Sequence, residues 1–112
     1  MTETIINYDD TPRKLIFDID RLGDAETISG KSFGEVMANP LNGLMNIHVL
    51  KSYVYAGLRT DNPKIEMKDV SKIINAALAK GMDLRVIIND IQDALFNSGI
   101  LKRPNEVDPE KN

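Results

Sequence analysis

Residues 14–30 read KLIFDIDRLGDAETISG. An apolar run leads into Asp18 and Asp20, and Asp24 follows four residues later. These acids either form a chemical site, which needs a sheet behind them, or open a helix, which needs only local backbone. The local signals favour a helix. Asp18 can accept orphan backbone N–H groups of a first turn, an arrangement worth about 0.5–2 kcal/mol. Asp20 falls in that turn, where the helix dipole favours negative charge. Ile19, Leu22 and Glu26 follow at helical spacing, and Gly30 can end the helix in the left-handed conformation.

Upstream, TIINY (residues 4–8) and RKLIF (13–17) flank the turn-like DDTPR. Asp side chains and a proline suit a turn, so a small N-terminal hairpin is predicted. Downstream, Ser32 to Glu35 spells a capping box. It opens a short helix carrying Val36 and Met37, which ends at ANP because the residue before Pro40 is pushed out of the helical region. A third helix is predicted over 43–60, with Leu44, Ile47, Val54 and Leu58 as its stripe. TDNP (60–63) closes it. A fourth follows over 66–80, with Val70, Ile73, Ile74, Ala77 and Leu78 at i, i+3, i+4, i+7 and i+8. Gly81 ends that helix. Asp83 caps a fifth, striped by Leu84, Ile87, Ile88, Ile91 and Leu95, and Gly99 stops it. The seven glycines are read as helix-end residues. Ile74, Leu78, Ile88 and Ile91 are expected to be buried where the last two helices meet.

The fold class is therefore mainly α: about five short helices in one compact domain over residues 1–101, a small N-terminal β-hairpin, and a flexible tail over 102–112. The tail sequence, KRPNEVDPEKN, has two prolines and one apolar residue, a composition that cannot build a core.

A chain of 112 residues suits one domain, and 42% hydrophobic content is enough for a core. With no cysteine, disulfides, thiolate zinc sites and a cysteine nucleophile are excluded. No apolar run approaches the roughly 18 residues that cross a bilayer, and no basic-plus-apolar leader opens the chain. A soluble intracellular protein without a membrane partner is expected. The net charge is −3, and the basic residues from Lys31 to Arg103 are scattered. A nucleic-acid partner usually requires a dense basic face, so none is expected.

Two sharper readings of the acidic stretch fail on the residues. IFDID resembles the opening motif of haloacid-dehalogenase phosphatases, in which the first Asp is a nucleophile and the second an acid/base beside magnesium. Arg21 and Leu22 follow where that family usually has Gly and then Thr or Val, and the chain beyond reads as helices. Counted as a calcium loop from Asp18, position 5 is Leu22 and position 12 is Ser29, where a carboxylate pair of oxygens is needed. His48, the single histidine, lacks a second His or a Cys for a metal site. No nucleophile is marked and no glycine-rich phosphate loop is present. No catalytic residue, metal or cofactor is expected. The methionines, Met37, Met45, Met67 and Met82 among them, suit adaptable contact surfaces.

The order of features resembles a specific family. LIFDIDRLGDAETISGKSFGEV (15–36) is similar to the opening segment of tail assembly chaperones of long-tailed bacteriophages and gene transfer agents, with Glu26 preceding the Gly30–Lys31–Ser32 turn. LKSYVYAGLRTDNPKIEMKDVSKII (50–74) resembles the family's central helix and the start of the next, through Leu50, Ala56, Leu58, Pro63, Ile65, Asp69 and Val70. DALFNSGIL (93–101) resembles its final helix. The likeness runs over residues 4–101. It implies a chaperone, not an enzyme, that works in the host cytoplasm and is absent from the finished virion. Its partners would be the tape measure protein, which it keeps soluble, and the tail tube protein, reached through a frameshifted longer product. Self-association into a homo-oligomer is a further option. The expected contact surface is the third helix and its approach, because Met45, Tyr53 and Tyr55 cannot all share one buried face. A small helical DNA-binding regulator, with a helix–turn–helix over 66–98, is the alternative.

Overall fold

The computed structural model describes residues 3–103. It is mainly helical, with a two-stranded sheet at its N-terminal end. Strands β1 (Thr4–Ile6) and β2 (Arg13–Leu15) pair antiparallel, with Thr4 opposite Leu15 and Ile6 opposite Arg13. In the turn between them Asp10 has a positive φ of 66°, which Asp tolerates better than most residues. Arg13 closes the turn with two bonds to Asp9, at 2.8 and 3.3 Å. These hold the Asp9 carboxyl below its usual range. Alternation sends Ile6, Tyr8, Leu15 and Phe17 into the core and leaves Ile5 outside.

Helix α1 (Ile19–Ser29) begins as the local signals predict. Asp18 Oδ1 accepts the Arg21 N–H at 2.8 Å, and Gly30, at φ 73°, donates its N–H to Glu26 O at 2.9 Å. Before α2 (Phe33–Met37), Ser32 Oγ accepts the Glu35 N–H at 3.1 Å. The expected return bond from Glu35 gives way to other partners. Its carboxylate pairs with Lys31 at 3.5 Å, and Glu26 of α1 accepts the Phe33 N–H at 2.7 Å.

The predicted helix over 43–60 is two helices, α3 (Pro40–Met45) and α4 (Ile47–Arg59). Asn46 breaks it: its backbone is extended, and its side chain accepts the N–H groups of His48 and Val49 at 3.1 and 3.3 Å. Pro40 opens α3 at the first helical position, where a missing N–H costs nothing. Helices α5 (Met67–Ala79) and α6 (Leu84–Asn97) agree with the periodicity. Gly81 at φ 89° ends the first, and Asp83 caps the second through Arg85 N–H at 2.8 Å.

Helix α4 is the centre of the fold, with α1, α3, α5, α6 and β2 all packed against it. Its buried residues, including Leu50, Tyr53, Val54, Ala56 and Leu58, cover most of its circumference, and the ridge of Ile47, Lys51, Tyr55 and Arg59 stays partly open. The last two helices thus meet α4 rather than chiefly each other. Ile74, Ile88 and Ile91 are buried as expected, but Leu78 is 42% exposed and Ile47 53% exposed. Four glycines sit inside helices instead of at their ends. Of these, Gly43 and Gly57 mark close approaches: an added Cβ would lie 2.5 Å from Val36 O at the first and 2.5 Å from Leu15 Cδ1 at the second.

The hairpin is tied to the far end of the chain. Tyr8 donates its hydroxyl to Asp90, Asn97 donates to Thr4 Oγ1 at 2.8 Å, and Lys80 pairs with Asp10 at 2.6 Å. Within the expected tail, Arg103 bonds Asp93 at 2.8 Å and Asn97 at 3.0 Å and lies over the Phe96 ring. Residues 104–112 of that expected tail lie outside the described residues.

Candidate functional site

The acids that opened the question have structural partners. Asp18 caps α1. Asp24 Oδ2 takes the Arg59 guanidinium at 3.1 Å, tying α1 to α4, with Arg21 Nε 2.9 Å away as an ion pair without hydrogen-bond alignment. Asp20 lies exposed in the first turn. Among the described residues no three His, Asp or Glu side chains converge as metal ligands. His48 Nε2 lies 2.8 Å from Ile28 O. A carbonyl only accepts, so this nitrogen carries the proton and the ring joins the start of α4 to the end of α1.

The three expected contact residues separate. Met45 is 39% exposed at the end of α3. Tyr55 is half-buried, with the Arg59 guanidinium 5.5 Å above its ring. Tyr53 is fully buried beside Phe17, the ring centroids 6.2 Å apart, so the expectation that it meets a partner is corrected. It faces the core because α4 is covered on nearly every side. Its buried hydroxyl has no hydrogen-bond partner among the described residues. Burial and the nearby Glu26 charge push its pKa up to about 12.

Among several surface hollows of similar size, the one lined mostly by aliphatic side chains of α4 and α5 is a cleft of about 270 Å³, closed at one end by the first residue of α6. Leu50 and Ile74 form its buried floor, Ile47 and Leu78 its exposed lips, and Leu84 its end. Lys51, Ser71 and Asn75 complete the lining. Ile47, Lys51 and Tyr55 are successive i, i+4 positions, so they lie along one ridge of α4. Helices this close normally cover their stripes. Here each stripe is wider than the neighbour it meets, and one edge of each remains in solvent.

No protein family, curated protein or solved structure matches the chain. The site is therefore read from its own geometry. It has the lining of a groove for an apolar helix: walls from two packed helices, aliphatic lips and a buried aliphatic floor. Sequence reasoning placed Ile47 and Leu78 on stripes and took Leu78 as buried. The signal that could have corrected this is α4 itself. Between Ile47 and Leu58 Lys51 is its single charged residue, the mark of a helix covered over most of its circumference. Such a helix is contacted from several sides and cannot be spanned by one neighbour.

Proposed function

We propose that this chain is a tail assembly chaperone of a long-tailed bacteriophage, holding the tape measure protein soluble in the host cytoplasm until tail tube subunits replace it. Support comes from the resemblance over residues 4–101 together with one structural observation, the open aliphatic cleft between α4 and α5. A tape measure protein is a long helix with an apolar stripe, and such a stripe needs cover before assembly. Covering the two half-exposed lips, Ile47 and Leu78, contributes about 1.5–3 kcal/mol in total. Each contact is then weak, and many copies along one long helix hold it by number. Weak single contacts also suit a holder that leaves before the virion is complete. A frameshifted longer product would carry the contact to the tail tube protein.

Co-expression with the adjacent tape measure gene tests this reading. A soluble complex that survives high salt supports it, because the contact is mostly apolar. A tape measure protein that stays insoluble in the presence of the chain counts against it. The DNA-binding regulator draws on the tight turn between α5 and α6. Helix α6 carries Asp90 and Asp93 against one Arg, which opposes phosphate contact. Steeply salt-dependent retention on duplex DNA would favour the regulator.

A further inference from the structure

Lys51 is the one charged side chain that lines the α4–α5 cleft. It is half-buried, one turn along α4 from the exposed Ile47. Of the other cations on α4, α5 and the start of α6, Arg59 is matched by Asp24, Lys80 by Asp10, Lys68 by Glu66 and Arg85 by Asp83, while Lys72 points into a different hollow, lined by Asp9, Asn62 and Asp69. Lys51 has no carboxylate within ion-pair distance among the described residues. Its aliphatic stem can extend the apolar wall while its ammonium stays at the rim. The opposite wall offers Ser71 and Asn75, which carry no charge.

We infer that Lys51 selects the occupant of this cleft: an amphipathic helix from another protein whose aliphatic stripe is flanked by a carboxylate that pairs with the Lys51 ammonium. This rests on the cleft being the docking surface of the function proposed above, and it adds the chemistry of the partner. The helical form follows from the walls. Lining positions on α5 run from Ser71 to Leu78, about two helical turns or roughly 10 Å, which matches anchors at i, i+3 or i+4, and i+7 of an incoming helix. The charge follows from Lys51, which a flanking lysine would repel and a flanking carboxylate would neutralise. Rim charges of this kind set partner choice more than affinity.

The test uses the full chain and two synthetic amphipathic helices with the same leucine stripe, one flanked by glutamate and one by lysine. Affinities are measured by fluorescence titration at low and high salt. The glutamate helix should bind about fivefold more tightly than the lysine helix at low salt, in line with a partly exposed ion pair. High salt should shrink that ratio. Lys51→Gln should remove the preference, and Lys51→Glu should reverse it, with unchanged thermal unfolding of each variant. Leu78→Glu should abolish binding of both helices. Equal binding of both helices to wild type overturns the selector while leaving an apolar groove. No binding of either overturns the docking site itself. A dimer of the wild-type chain that Leu78→Glu converts to monomer shows a second copy as the occupant and also overturns the proposal. If charge reversal holds but the tape measure protein is not kept soluble, the functional reading fails and this site stands.

Discussion

Ile16 donates its backbone N–H to the carbonyl of Gly57, inside α4, at 2.9 Å. Thr60 returns a bond from its hydroxyl to Ile16 O at 3.2 Å. The strand segment beyond β2 thus uses the central helix as its second hydrogen-bonding partner. This close approach is open only because residue 57 has no side chain, for a Cβ there would meet Leu15 Cδ1 at 2.5 Å and Phe17 Cζ at 2.9 Å.

Gly57→Ala should therefore destabilise the fold by about 1–3 kcal/mol, the range of overpacked cores. Gly43→Ala should cost at least as much, because its Cβ meets the Val36 backbone, which yields less than a side chain. Gly23→Ala is the control. A Cβ there meets nothing within 4 Å, and alanine should add up to about 1 kcal/mol through helix propensity. Urea unfolding of the three variants checks the ordering.

Ile88 is 1% exposed and Leu78 42% exposed, although both sit on regular stripes. Ile88→Ala should cost about 2–5 kcal/mol. Leu78→Ala should cost under about 1 kcal/mol, because half of that side chain never left water. Equal losses at the two positions would mean that the cleft is closed in solution.

Tyr8 and Asp90 form a pair that links hairpin to α6. Burial raises the Asp90 pKa, the Tyr8 hydrogen bond opposes this in part, and the nearby Asp93 charge adds to the rise. A carboxyl raised in the folded state binds its proton more tightly there than in the unfolded chain. Its contribution is therefore fully present below the unfolded value, near 4, and is lost as pH rises through the folded value. Asp90→Asn keeps an acceptor for Tyr8 and has no proton to lose. Relative to wild type, this variant should gain stability as pH rises across that window. A difference between the two that does not vary with pH would contradict the burial-raised pKa of Asp90.

Tyr53 carries a buried hydroxyl without a partner among the described residues. Tyr53→Phe should leave the fold intact and raise its stability by about 1 kcal/mol, since an unmet buried polar group carries a desolvation cost of this order. A loss of similar size, measured by thermal unfolding, would show that the hydroxyl has a partner in solution.

Local chemistry carried the parts of this fold that were legible in advance. Asp18, Gly30, Gly81 and Asp83 act on backbone within a few residues of themselves, so the helix ends could be read. The hairpin was legible from alternation around DDTPR. Asn46 was not, because the apolar pattern runs through it and a cap inside a continuous stripe leaves little trace. Tyr53 and Leu78 were misplaced for one reason: burial depends on how many neighbours a helix has, and periodicity names a face without counting them. Gly57 was read as punctuation, since its role depends on Leu15 and Phe17, some forty residues away in sequence. The cleft was illegible as a site because it is what remains when α5 covers only part of α4.

The α4–α5 cleft is proposed to receive an apolar helix of the tape measure protein. Methyl NMR of the chain, recorded while a soluble helical fragment of that protein is added, tests it most directly. Saturable shifts are expected at the methyl groups of Ile47, Ile74 and Leu78, with little dependence on salt, and quiet methyls at Ile5 and Val86. Unmoved cleft methyls under saturating fragment, or shifts confined to α6 on addition of duplex DNA, would contradict it.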